Sequence, residues 1–358
     1  MKKPYLLSIE YIRGISMLGV VAIHIGSQYL TNPTPNLFFV SLYETASRFS
    51  VPIFFFISAF GLFYKIDLSE PFDYIKFLRR RFKAVLIPYL LWSVFYIVHD
   101  NFFYGSGIPA PSYALEILFF GLAKYQLYFL VILIWFYLLM SLWIKILRVM
   151  TPAKLFLLLI VQIIFDYFSS YSVVLFEFIN SLPSDSILKL FLMWRMNYLV
   201  LHYAFIFLLG GFFAVHSEKF FKWLAENKKI ISAGFFLTLI ILMGYFYYLV
   251  LVKNFSPIEA VNTAHQLSPP GIFYTIAASI FFFMLFENFK LGKFFEGFFG
   301  VMGKNSYFIY LFHPLAITYI NLLFAKFNLV ITATNSIIFY LLTILISLAV
   351  SLVWQKLK

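Results

Sequence analysis

The sequence has 358 residues, of which 63% are hydrophobic and 12% charged, with a formal net charge of +12 and no cysteine. Soluble domains carry about 25% charged and about 45–50% apolar residues, so this chain lacks the polar surface to cover itself in water, whereas in lipid its apolar side chains meet a matching solvent. The missing thiols exclude disulfides, thiolate metal sites, a cysteine nucleophile and S-palmitoylation.

The expected fold is all-α: a single domain over residues 1–358, built as a polytopic bundle of about ten transmembrane helices. Crossing about 30 Å of hydrocarbon takes about 20 apolar residues. Such stretches fall at roughly 9–30, 48–65, 84–99, 126–147, 153–170, 197–216, 230–252, 271–287, 305–325 and 334–355. The first follows Lys2 and Lys3 but is too long for a signal-peptide core, contains Arg13 and lacks a small-x-small cleavage site, so it reads as a retained helix. Turn signals punctuate the rest: Asn32 to Pro35, Ser69 to Pro71, Gly105 to Pro111, Ser181 to Ser184 and Ser268 to Gly271.

Basic residues orient the bundle, because cytoplasmic loops collect Lys and Arg. With both termini inside, the cytoplasmic segments hold Lys2, Lys3, Lys65, Lys76, Arg79, Arg80, Arg81, Lys83, Lys145, Arg148, Lys154, Lys219, Lys222, Lys228, Lys229, Lys290, Lys293, Lys304, Lys356 and Lys358, twenty in all. The outer segments hold six: Arg48, Lys124, Lys189, Arg195, Lys253 and Lys326. Membrane orientation accounts for the net positive charge, and nucleic acid is not needed to explain it.

Ionisable side chains inside a span are functional candidates, since burying one costs at least about 2.5 kcal/mol on insertion scales. The first span holds Glu10, Arg13 and His24. Eleven residues separate Arg13 from His24; at about 100° per residue this is three turns plus about 20°, which puts both on one face about 16 Å apart. Glu10 and Arg13 form an i,i+3 pair. The bland alternative has Arg13 snorkelling to the headgroups and His24 bonding a neighbouring helix. His313 precedes Pro314, which frees a backbone carbonyl one turn back; it is either a kink-stabilising hydrogen bonder or a member of a polar cavity. His99 and Asp100 are expected to be solvated at an outer helix end. His202 falls near the outer mouth, His216 at an inner end and His265 in an outer loop. No histidines have zinc-site spacing, so no metal is expected. The run Arg79, Arg80, Arg81 and Lys83 serves either orientation or recognition of a polyphosphate.

Taken together, these pieces resemble the acyltransferase-3 family of bacterial inner-membrane acyltransferases. The matching motifs are an acidic residue followed by R-x10-H (Glu10, Arg13, His24) and VPIFFFISAFG over Val51 to Gly61, like the family's FFxxSGF. They continue with the basic RRRFKAVLIPY over Arg79 to Tyr89, LYFL over Leu127 to Leu130, and NSYFIYLFHP over Asn305 to Pro314. Two residues depart from the pattern: Ala59 stands for the usual glycine and Ala84 for the second arginine of R-x-x-R. Length and the stretch from Leu86 to Trp143 are most similar to the exopolysaccharide and intercellular-adhesion polysaccharide branch.

The resemblance implies a multi-pass protein of the bacterial inner membrane. Such a protein moves an acyl group, often acetyl, from cytoplasmic acyl-CoA to a hydroxyl of a cell-envelope glycan. His24 would act as general base or acyl carrier beside Arg13 and Glu10. Arg13, Arg79, Arg80, Arg81 and Lys83 would hold CoA phosphates, while Ser58, Tyr310 and His313 would line the cavity. The expected partners are acyl-CoA, a glycan acceptor and the lipid bilayer. The alternative class is an exporter of polysaccharide or lipid-linked sugar.

Overall fold

A computed structural model describes residues 4–357; Lys2, Lys3 and Lys358, part of the cytoplasmic charge count, lie outside the described residues. The described residues are helical, with no strand among them. Among the described residues, eight helices are long and apolar enough to cross a membrane: Leu7–Tyr29, Leu37–Phe63, Tyr74–Tyr104, Pro152–Tyr171, Lys228–Leu251, Pro269–Asn288, Lys293–Lys326 and Ala333–Lys356. Two bent pairs bring the number to ten when each is one span. Tyr128–Leu138 with Met140–Arg148 turns by 62°, and Val200–Val215 with Ser217–Glu226 turns by 95°.

Local chemistry sets many of the ends. Thr151 and Ser268 accept from backbone N–H groups of the helices they precede, and each is followed by a proline at the first helical position. Gly105 and Gly121 close helices in the left-handed conformation that glycine adopts without steric cost. The second span departs from expectation. The region 31–47, expected as an outer loop, is largely helical, because Leu37–Val40 runs through a π-helical turn at Ser41–Thr45 towards the helix Ser50–Phe63. Asn36 caps its start by accepting from the Phe38 N–H.

The chain packs as two compact units. One comprises the residues up to Lys65 with those from Leu209 on; the other comprises Ile66–Leu208. In the first unit, the helix Leu7–Tyr29 is surrounded by spans at glycine contacts. A Cβ on Gly303 would sit 1.9 Å from the Glu10 carbonyl oxygen, and one on Gly14 would sit 2.6 Å from that of Phe299. Leu7–Tyr29 and Lys293–Lys326 therefore touch backbone to backbone, as small residues permit in lipid. On another side, a Cβ on Gly19 would meet the Ser50 hydroxyl at 1.9 Å, and one on Gly26 would meet Glu44 Cγ at 2.8 Å. Larger residues at these positions would hold the second span away.

Candidate functional site

Helix register assembles the site in the first unit. From the crossing at Gly14 and Gly303, ten residues along each helix lead to His24 and to His313. The two helices run parallel, so their histidines arrive at the same height. The rings lie with centroids 5.2 Å apart and planes 23° apart. His313 is fully buried, and its Nδ1 donates to the Ile309 carbonyl at 3.0 Å, in the turn before Pro314. A carbonyl only accepts, so Nδ1 carries the proton, and neutral His313 keeps its lone pair at Nε2. That buried Nε2 has no hydrogen-bond partner. The kink-bonding reading of His313 is thus realised, and the same ring also packs on His24. His24 is half-buried and so keeps an accessible edge.

The other expected residues fall as follows. Tyr310 is buried with its ring centroid 6.1 Å from that of His313. Ser58 is half-buried on the second span. Near the start of the first helix, Arg13 Nη1 lies 3.7 Å from Glu10 Oε1, with the arginine side chain 39% exposed and the glutamate 10%. The Tyr5 hydroxyl donates to the same carboxylate. Burial and that carboxylate push the Tyr5 hydroxyl up to about 12, which keeps it a donor throughout the physiological range. Ser8 donates to Glu287 nearby. Arg13 thus presents an accessible cation, partly balanced by Glu10.

Sequence reasoning missed a second polar layer, beyond His24 on the same helix. Ser27 donates to Glu44 Oε1 at 2.8 Å, and Glu44 Oε2 pairs with Arg48 Nη2 at 2.8 Å. Glu44 is 1% exposed; Gly26 leaves the space in which its side chain lies. Arg48 Nη1 reaches Gln266 Oε1 at 3.5 Å, and Gln28 accepts from Asn321 Nδ2 at 2.7 Å.

The basic run belongs to the second unit. Arg79, Arg80 and Lys83 are exposed, whereas the Arg81 guanidinium lies 5.5 Å from the Phe77 ring centre and 5.6 Å from that of Tyr137. The four basic residues therefore divide into three accessible cations and one packed on aromatic faces. Ala84 is exposed, and Ala59 in the first unit is fully buried.

One histidine expectation needs correction within the second unit. His99 is buried, with Nδ1 2.9 Å from Asp100 Oδ1, and Lys124 pairs with the same carboxylate at 2.9 Å. His202, in the turn Val200–Tyr203 that opens a span, is fully buried. Its Nδ1 is 2.6 Å from Asp166 Oδ1 with both side chains fully buried, and Gln162 donates to Asp166 Oδ2 at 2.8 Å. The legible signal was the spacing Gln162, Asp166, Ser169 in an otherwise apolar span, which puts three polar residues on one helical face.

No metal-binding group of three or more His, Cys, Asp or Glu occurs among the described residues. No curated protein and no solved structure matches the chain. Residues 6–354 match the family described as an acyltransferase domain, Acyl_transf_3. That match spans nearly the whole chain, from before Glu10 to beyond Pro314, and the protein belongs to this acyltransferase family.

Proposed function

We propose that the protein transfers an acyl group, in the simplest case acetyl, from cytoplasmic acyl-CoA to a hydroxyl of a cell-envelope glycan, with both termini in the cytoplasm of a bacterial inner membrane. The observation that carries this reading is the stacked pair His24–His313, set above the accessible cation Arg13 on one helix. In the direct form of the reaction, His24 takes the proton of the acceptor hydroxyl as its oxygen attacks the thioester carbonyl. The new C–O bond forms, the C–S bond breaks, and the imidazolium returns the proton to the leaving thiolate. An imidazole held beside both groups can take the proton from the hydroxyl and return it to the thiolate. In the two-step form, the acyl group rests on His24 before the hydroxyl takes it.

Arg13 in the first unit offers a cation for the phosphates of CoA. Within the second unit, the exposed Arg79, Arg80 and Lys83 offer cations of the same kind, and the half-buried Arg81 packs against Phe77 and Tyr137. Ser58, Tyr310 and His313 border the reacting groups. Labelled acetyl-CoA, supplied to the protein in nanodiscs with envelope glycan, should yield labelled glycan. His24→Ala should lower that transfer by about 10²–10⁴-fold while acetyl-CoA binding and membrane insertion persist. Transfer at the parental rate in His24→Ala would remove the catalytic reading. Glycan export without transfer by the parent protein would make it an exporter.

A further inference from the structure

The polar layer beyond His24 has no part in the reaction so far. It is built at some cost: Glu44 and Arg48 lie within an apolar span, Glu44 is 1% exposed, and a buried ion pair recovers its desolvation penalty only when the geometry is good. Here the geometry is good. Arg48 Nη2 meets Glu44 Oε2 at 2.8 Å, Ser27 meets the other carboxylate oxygen at 2.8 Å, and the space left by Gly26 admits the carboxylate against the first helix.

The layer also has an open side. Ser27 is exposed, Gln28 and Gln266 are half-buried, and Arg48 Nη1 is held by Gln266 only at 3.5 Å. Ser27 and Gln28 follow His24 by three and four residues, so they stand over its ring on the same helix face. Hydroxyl, amide, carboxylate and guanidinium groups therefore converge one turn from the imidazole. This inventory donates to and accepts from vicinal hydroxyls, and the planar groups do so with two atoms at once.

Charge narrows the choice further. Glu44 and Arg48 neutralise each other, so the layer presents polar groups without net charge. An anionic ligand would have to compete with Glu44 for Arg48 and leave a carboxylate unpaired in a poorly solvated place, which is strongly unfavourable. We infer that Ser27, Gln28, Glu44, Arg48 and Gln266 form the acceptor subsite and that the closed Glu44–Arg48 pair selects an uncharged, hydroxyl-bearing sugar over an anionic one. This rests on the acyl-transfer reading above and deepens it.

The test uses the full chain in nanodiscs and two oligosaccharide probes of equal length, neutral chitotriose and anionic trigalacturonate, with binding followed by ligand-observed NMR. The parent should bind chitotriose about tenfold more tightly than trigalacturonate. Glu44→Gln keeps the shape and the bond from Ser27 but leaves Arg48 uncompensated, so the ratio should fall to about one or invert. Arg48→Gln should leave trigalacturonate bound more weakly still, through the unpaired carboxylate. Acetyl-CoA binding identifies the variants that remain folded. A parent without preference for the neutral probe, or one that binds neither, overturns the inference. So does an unchanged ratio in folded Glu44→Gln, which would leave the pair as a pin within its span. Transfer from labelled acetyl-CoA fails or succeeds separately, so loss of the acyl-transfer reading is distinguishable from loss of the subsite.

Discussion

At the scale of single residues, the central question is what His313 does for His24. Its Nδ1 is committed to the Ile309 carbonyl, its ring lies against His24, and its Nε2 faces inward without a partner. His313→Phe keeps a flat ring beside His24 and removes both nitrogens. We expect it to lower kcat for acyl transfer by about 10-fold or more, while KM for acetyl-CoA stays near the parental value, the pattern of an interaction made in the chemical step. Parental turnover in this variant would make the ring a packing element only. Arg13 and His24 were legible as a pair because one helix and one period fix their relation. The stacking of His24 on His313 was not, because it depends on two helices 289 positions apart sharing a register that no local pattern encodes. Asp166 and His202 escaped for the same reason, and so did Glu44, whose partners Ser27 and Arg48 bracket a turn of chain expected to be a loop.

At the scale of elements, that shared register comes from glycine. Gly303 meets the Glu10 carbonyl oxygen and Gly14 meets that of Phe299, so any side chain there separates the helices that carry the two histidines. Gly303→Leu should destabilise the protein by about 1–3 kcal/mol, the usual cost of overpacking, and lower Tm in detergent. Gly297→Ala is the control, since its Cβ would have nothing within 4 Å. An unchanged Tm for Gly303→Leu would mean the crossing yields freely. The spans themselves were largely readable, because runs of about 20 apolar residues leave few alternatives. Their interruptions were less so. The 62° bend at Leu139 has no proline or glycine to mark it, and the 95° turn falls at His216 between two well-formed helices.

At the scale of the whole molecule, the parallel course of Leu7–Tyr29 and Lys293–Lys326 constrains the count of crossings. Two parallel spans of one chain have an odd number of crossings between them. Five of the unbent helices lie between these two in sequence, so the two bent pairs either both cross or both do not. With both crossing, the total is ten, and the proposed placement of both termini inside rests on the twenty-to-six division of basic residues. Reporter fusions at Lys145–Lys154 and Lys219–Lys229 should then report cytoplasm, and those at 105–112 and 255–268 the outside. Reversal of either pair would refute the assigned topology. Composition made the membrane legible at once, whereas the grouping into two units was not, since the second is an insertion between Lys65 and Leu209 with no change in hydropathy to announce it.

The π turns at Ser41–Thr45 and Phe82–Leu86 carry a consequence for the history of the site. Each holds one residue more than an α turn, so a helical wheel drawn through either span loses phase there by about 100°. Glu44 faces Ser27 because of that surplus residue, and Lys83 occupies the other such turn, just after Arg79 to Arg81. Removing one residue from either turn would rotate a different side chain into the same place, with no substitution at all. Insertion or deletion of one residue inside either span would therefore exchange the side chains at the two proposed subsites while the bundle around them stays the same.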